Sequence, residues 1–150
     1  MTGAAIEIRP EGLAALDRRI DRLLAGLNNP EPLLRELAAA GESQTRRRME
    51  SDKRGPDGTP WPEWSPGYAA TRHGGQSLLD ARGDLIQSLT AFADRQTAGW
   101  GTNLIYAATH QFGRGAIPAR PFMGVSDDDE RELLDLAEEW LDRLLGGGAR

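Results

Sequence analysis

Residues 53–67 constrain this chain more than any other stretch. Pro56, Pro60, Pro62 and Pro66 alternate there with Gly55, Gly58 and Gly67. Proline lacks the N–H that a helix or central strand needs, and glycine loses more entropy than other residues in either. No regular element can cross this span, so it divides the fold. Pro56-Asp57-Gly58 reads as a tight turn, because Pro fixes φ and Gly accepts positive φ. Trp61 and Trp64 lie in the same span. Large aromatic rings left in water are costly, so both should pack on the body or on a partner. Residues 66–72 fit one short helix, and 71–77 are polar and glycine-rich. The expectation is a flexible loop over 53–77, whose part at 53–67 orders on assembly.

Before the loop, Ile6 and Ile8 alternate with polar neighbours, as in a short strand. Pro10 then opens a helix with Leu13, Leu16, Ile20, Leu23, Leu24 and Leu27 on one face. Asn29 caps a second helix, with Pro30 at its first position. Leu33, Leu34, Leu37, Ala38 and Ala40 give that helix an apolar stripe, which fades through Gly41-Glu42-Ser43-Gln44. Its polar second half reads as a solvated end or as a surface that meets a neighbour.

After the loop, 78–88 fits a short helix broken near Gly83. Residues 89–93 and 96–101 fit paired strands, with Asp94-Arg95 near the turn. A short helix over 105–112 ends at Gly113. Pro118 and Pro121 forbid helix over 117–125, which should be extended. Ser126 then caps the last helix, with Asp129 three residues on and Asp127, Asp128 and Glu130 complementing its dipole. Leu133, Leu134, Leu136, Ala137, Trp140, Leu141, Leu144 and Leu145 form its apolar face. Gly146-Gly147-Gly148 stops it, leaving a frayed tail at 146–150. The pattern predicts a single α+β domain over 1–150. Its small antiparallel sheet, built mainly from 89–101 and 117–125, would be covered by N-terminal helices and a C-terminal amphipathic helix.

Composition narrows the chemistry. The 150 residues can bury a real core without staples, and with no cysteine there is no disulfide or thiolate chemistry. No apolar run approaches the roughly 20 residues that span a bilayer, and the first residues do not resemble a signal peptide. A product made in the cytoplasm, without membrane contact, is expected. Net charge is −5, with nine acids against three bases over 127–150. That end is unsuited to non-specific DNA binding.

No residue pattern calls for an enzyme. His110 has only Thr109 and Gln111 as local polar neighbours, whereas a catalytic His needs a nucleophile or an orienting carboxylate. A structural role in a crowded turn is the better reading, and His73 reads as solvated. Two distant histidines and no cysteine do not make a zinc site. Asp127-Asp128-Asp129 is explained by capping rather than by a metal, and no cofactor is expected. His73-Gly74-Gly75 is no nucleotide loop. Arg46, Arg47 and Arg48, with Lys53 and Arg54, fit three roles: contact with DNA, a solvated face, or salt bridges to a neighbouring subunit's acidic helix. Arg120, stiffened between Pro118 and Pro121, fits pairing with an acid inside the fold or across a subunit boundary.

Two segments in series carry a resemblance. Tyr106-Ala107-Ala108-Thr109-His110-Gln111-Phe112-Gly113 is followed by Ile117-Pro118-Ala119-Arg120-Pro121-Phe122-Met123-Gly124. Upstream stand Leu79-Asp80-Ala81-Arg82-Gly83-Asp84-Leu85-Ile86-Gln87-Ser88 and Gly101-Thr102-Asn103. In order and spacing, 78–145 resembles the virion-morphogenesis (tail-completion) family of tailed bacteriophages, departing from it at Arg82, where Thr or Ser would stand. The resemblance implies a non-enzymatic virion component in a homo-oligomeric ring, a hexamer, at the head–tail junction. Its partners would be the head connector or stopper on one side and the tail terminator or tail tube on the other. DNA would be met only through the lumen. Arg46, Arg47, Arg48, Trp61, Trp64, Arg120 and Phe122 are the candidate interface residues. Tyr106, His110, Phe112, Gly113, Pro118 and Pro121 form a structural motif. A DNA-contacting accessory is the alternative. A hydrolase would need a nucleophile–base pair or catalytic carboxylates in one pocket.

Overall fold

A computed structural model describes residues 3–8 and 29–144. The helix expected over 10–27 and the tail at 146–150 lie outside the described residues. The elements are β1 (Ala5–Ile8), α1 (Glu31–Arg47), a π-helical turn (Arg48–Asp52), α2 (Pro66–Ala69), α3 (Asp84–Gln87), β2 (Thr90–Ala93), β3 (Ala98–Gly101), α4 (Ala107–Phe112) and α5 (Asp127–Leu144). The α+β class is as expected.

The sheet has three antiparallel strands in the order β1-β3-β2. Ile6 and Ala91 flank Trp100 in register. Asp94 closes the β2–β3 hairpin, its Oδ1 accepting from the N–H groups of Gln96 and Thr97, each at 2.8 Å. The expected hairpin therefore forms, but the expected role of 117–125 does not. That segment is extended without joining the sheet, and β1 takes the third place. The reason lies in its donors. Arg120 N–H goes to the His110 carbonyl at 2.7 Å, and the Phe122 and Met123 N–H groups both go to Gln111 Oε1 at 3.0 Å. With two prolines lacking N–H as well, too few groups remain for a ladder.

Asn29 Oδ1 accepts from Glu31 N–H at the start of α1, as expected of a cap. The buried stripe of α1 does not fade. It continues from Leu33, Leu34, Leu37 and Ala38 through Gly41, Gln44, Thr45 and Arg48 to Met49. One face of the polar half is therefore core, while Ser43 and Arg47 on its other face stay exposed. Gly41 lets the Trp100 ring lie against the helix, since a Cβ there would collide with it. Trp100 Nε1 donates to Thr45 Oγ1 at 2.8 Å, and Thr45 Oγ1 donates to the Gly41 carbonyl at 2.9 Å. A ring, a missing side chain and a hydroxyl thus join sheet to helix.

α5 opens with a capping box: Ser126 Oγ accepts from Asp129 N–H and Asp129 Oδ2 from Ser126 N–H, each at 3.1 Å. Leu133 and Ala137 are fully buried, while Leu134, Leu136 and Trp140 are half-buried. The helix lies along α1, with Arg143 paired to Glu36 at 3.0 Å and Arg47 to Glu132 at 3.2 Å.

The span at 53–67 is mostly exposed and is tied to the body at a few points. Gly55 N–H bonds to the Thr59 carbonyl and Gly58 N–H to that of Gly55, around the expected turn. Trp61 is buried, its Nε1 donating to the Pro121 carbonyl at 2.8 Å. Lys53 Nζ donates to Ser77 Oγ at 2.8 Å and to the carbonyls of Leu78 and Met49. Ionic and backbone hydrogen bonds here replace the regular structure that proline forbids.

Candidate assembly surface

The arginines expected at an interface bond within their own chain, Arg48 and Arg120 buried, Arg46 half-buried and Arg47 still exposed. Arg48 is buried, pairs with Asp129, and donates to the Phe122 carbonyl at 2.7 Å. Arg46 reaches the carbonyls of Ile86 at 2.7 Å and Leu89 at 2.9 Å. Arg47 pairs with Asp129 and Glu132 of α5. The acidic helix that these arginines meet belongs to their own chain. Arg120 is also buried and finds no acid: it donates to the carbonyls of Pro62 at 2.7 Å and Glu63 at 3.0 Å. It therefore clamps the proline-rich span onto 117–125. Trp61 and Phe122 are buried too. Arg48, Trp61, Arg120 and Phe122 are thus corrected from surface candidates to internal struts. Their long side chains are drawn in by carbonyls that the irregular segments leave unpaired. Trp64 stays half-buried, edge-on to Tyr68 with ring centroids 5.9 Å apart.

The structural motif is built around α4. Ala107 is fully buried and anchors it. Gly113 ends it with φ 75°, where a Cβ would press on the Ile117 carbonyl and Ala119 N. Gln111 was outside the candidate set, yet its amide binds three backbone groups of 122–123, including the Met123 carbonyl at 3.2 Å. It acts as a strand edge made from one side chain. Sequence offers only the residue's identity within the motif, not this role. His110 is half-buried, stacks edge-on with Tyr106 at 5.8 Å, and holds a buried Nδ1 without a hydrogen-bond partner. Burial first, then the Arg120 charge, lowers its pKa below the usual histidine value. The structural reading of His110 fits this setting.

Phe112 departs from that structural role. It is 76% exposed, and Ile105, seven residues earlier and ahead of α4, is 81% exposed. Ile105 lies in the turn before α4, and Phe112 is the last residue of that helix. An open cleft of about 810 Å³ is walled by Trp64, Tyr68, Tyr106, Ile117 and Pro118. Leu79, in the unusual left-handed conformation at φ 61°, lines it as well. Arg72 lies over the Tyr68 ring at 4.3 Å. Among the described residues there is no group of three or more His, Asp or Glu side chains able to hold a metal. No described helix is long and apolar enough to cross a membrane.

Exposed Ile105 and Phe112 and a cleft walled by aromatic side chains thus lie on a domain braced from within. Residues 12–142 match the phage virion morphogenesis family, and the chain belongs to it. Two relatives are similar in sequence. Protein G of Escherichia phage Mu, whose name assigns it to capsid assembly, is 35% identical over 113 residues, covering 67% of this chain and 72% of that protein. The Mu-like prophage FluMu G protein 2 of Haemophilus influenzae is 31% identical over 147 residues, covering 93% of this chain and 99% of that one. No solved structure gives a significant match. The family is one of phage structural and assembly proteins rather than of enzymes, so this chain has a structural or assembly role in making the phage particle.

Proposed function

We propose that this protein works at the head–tail junction, as a ring that joins the head connector to the tail. The observation that carries the reading is the exposure of Phe112 within the motif that runs from Tyr106 to Gly113, and of Ile105 just before it. Large apolar side chains this exposed are anchors awaiting a partner. The braced fold beneath carries both side chains, which limits the entropy lost on association. A hexameric ring repeats one surface around its axis. The basic helix no longer supports DNA contact as a role, because Arg46, Arg47 and Arg48 are engaged internally.

A capsid-assembly role is the second reading, favoured by the name of the phage Mu relative. Disruption of the gene separates the two. The junction reading expects filled heads and finished tails that accumulate unjoined, and joining in extracts once purified protein is added. Absent or malformed heads would refute it in favour of capsid assembly. Light scattering of the purified protein, alone and with isolated tails, tests the ring.

A further inference from the structure

We infer that the cleft binds an extended, uncharged, proline-rich segment of another protein. The inference goes beyond the place of this chain in the particle and holds for either reading above. Two edge-on aromatic pairs stand in the cleft wall, Trp64 with Tyr68 at 5.9 Å and Tyr106 with His110 at 5.8 Å. Tyr68 and Tyr106 are 47% and 45% exposed. Among the described residues, Trp64 Nε1 and the hydroxyls of Tyr68 and Tyr106 make no hydrogen bond. Such side chains offer a flat apolar ring with a donor at its edge. A polyproline II segment matches both features. Its pyrrolidine rings pack on aromatic faces, and its carbonyls, free of internal hydrogen bonds, accept from the donors.

Charge fixes the character of the guest. Three carboxylates, Glu63, Asp80 and Asp84, line the cleft with three guanidinium groups, Arg72, Arg82 and Arg120. Their formal charges cancel, so the wall favours neither an acidic nor a basic segment over a neutral one. Most of them are also engaged already. Arg120 donates to the carbonyls of Pro62 and Glu63, and Arg72 takes one face of Tyr68. Asp80 acts through its charge on Lys53, and Glu63 on Arg120. Burial lowers the pKa of His110, so it adds no charge near neutral pH. The chain's own proline-rich span is tied to the body through Trp61 and Arg120, so the guest is a different protein.

The test is an NMR titration of the full chain with a proline-only peptide of about ten residues, long enough for a polyproline II helix. The Trp64 indole N–H should shift, while that of buried Trp100 should not. Tyr106→Ala should weaken binding about tenfold with an unchanged melting temperature. Tyr106→Phe, which removes only the hydroxyl, should weaken it about threefold. Peptides with every second proline replaced by Glu or by Lys should bind no more tightly than the neutral one. Absence of a Trp64 shift, unchanged binding by both Tyr106 variants, or tighter binding of either charged peptide would overturn the inference. A Trp64 shift that appears on raising protein concentration alone would overturn it too, because the occupant would then be a second copy of this chain.

Discussion

Asp129 carries two tasks, and their separation predicts a graded loss of stability. Its Oδ2 closes the α5 capping box and its carboxylate neutralises buried Arg48. Asp129 is 3% exposed and Arg48 4%. Loss of one partner from a buried pair costs about 3–5 kcal/mol, because the other charge is stranded. Arg48 keeps the Phe122 carbonyl at 2.7 Å and that of Gly124 at 3.3 Å, which places this case at the lower end. Asp129→Asn keeps an oxygen for the cap and should cost about 3 kcal/mol. Asp129→Ala also loses the cap, adding about 1 kcal/mol. At about 2–4 °C per kcal/mol for a chain of this size, melting should fall by about 6–12 °C and 8–16 °C respectively. Glu132→Ala is the control, since its pair with Arg47 is half exposed and worth under about 1 kcal/mol. Arg48→Met added to Asp129→Asn should recover part of the loss, because no buried cation remains. Circular dichroism melts and urea midpoints measure all four. If Asp129→Asn melts within a degree or two of Glu132→Ala, Arg48 is not held by charge and the account of the core is wrong.

Three further outcomes follow from the packing. Gly41→Val should cost about 1–3 kcal/mol by overpacking against Trp100, with a shift in tryptophan emission; an unchanged spectrum and midpoint would show that the sheet does not rest on that glycine. Arg120→Met should free the carbonyls of Pro62 and Glu63 and speed tryptic cleavage at Arg54, whereas equal cleavage rates would show that the proline-rich span is held without it. His110 should make stability fall in mild acid. Its folded pKa lies below the unfolded value of about 6.5, so the unfolded chain takes the proton first. The loss therefore begins as pH drops through about 6.5 and levels off below the folded value. His110→Gln should flatten the urea midpoint between about pH 7.5 and 5.5, and an equal slope in both proteins would remove His110 as the cause.

What the sequence alone determined is what short spacing controls. The hairpin ending at Gly101, the Gly113 stop of α4 and the Ser126–Asp129 box are all written within a few residues, where backbone sterics and local hydrogen bonds decide. The motif around His110 was also legible as a place of importance. Its mechanics were not, because Gln111 works on Phe122 and Met123, and nothing in a glutamine's identity tells which backbone groups will face it. The tertiary structure alone decided which charges are internal. Arg48 and Asp129 stand 81 positions apart, and Arg120 lies 58 from Pro62. An arginine with a carboxylate or two free carbonyls brought against it is a buried strut; one without them is a surface cation. The same fold sets Phe112 outside and Phe122 inside, although both are phenylalanines in adjoining motifs. Burial is a property of what the rest of the chain places around a side chain, and local pattern carries no record of neighbours that distant.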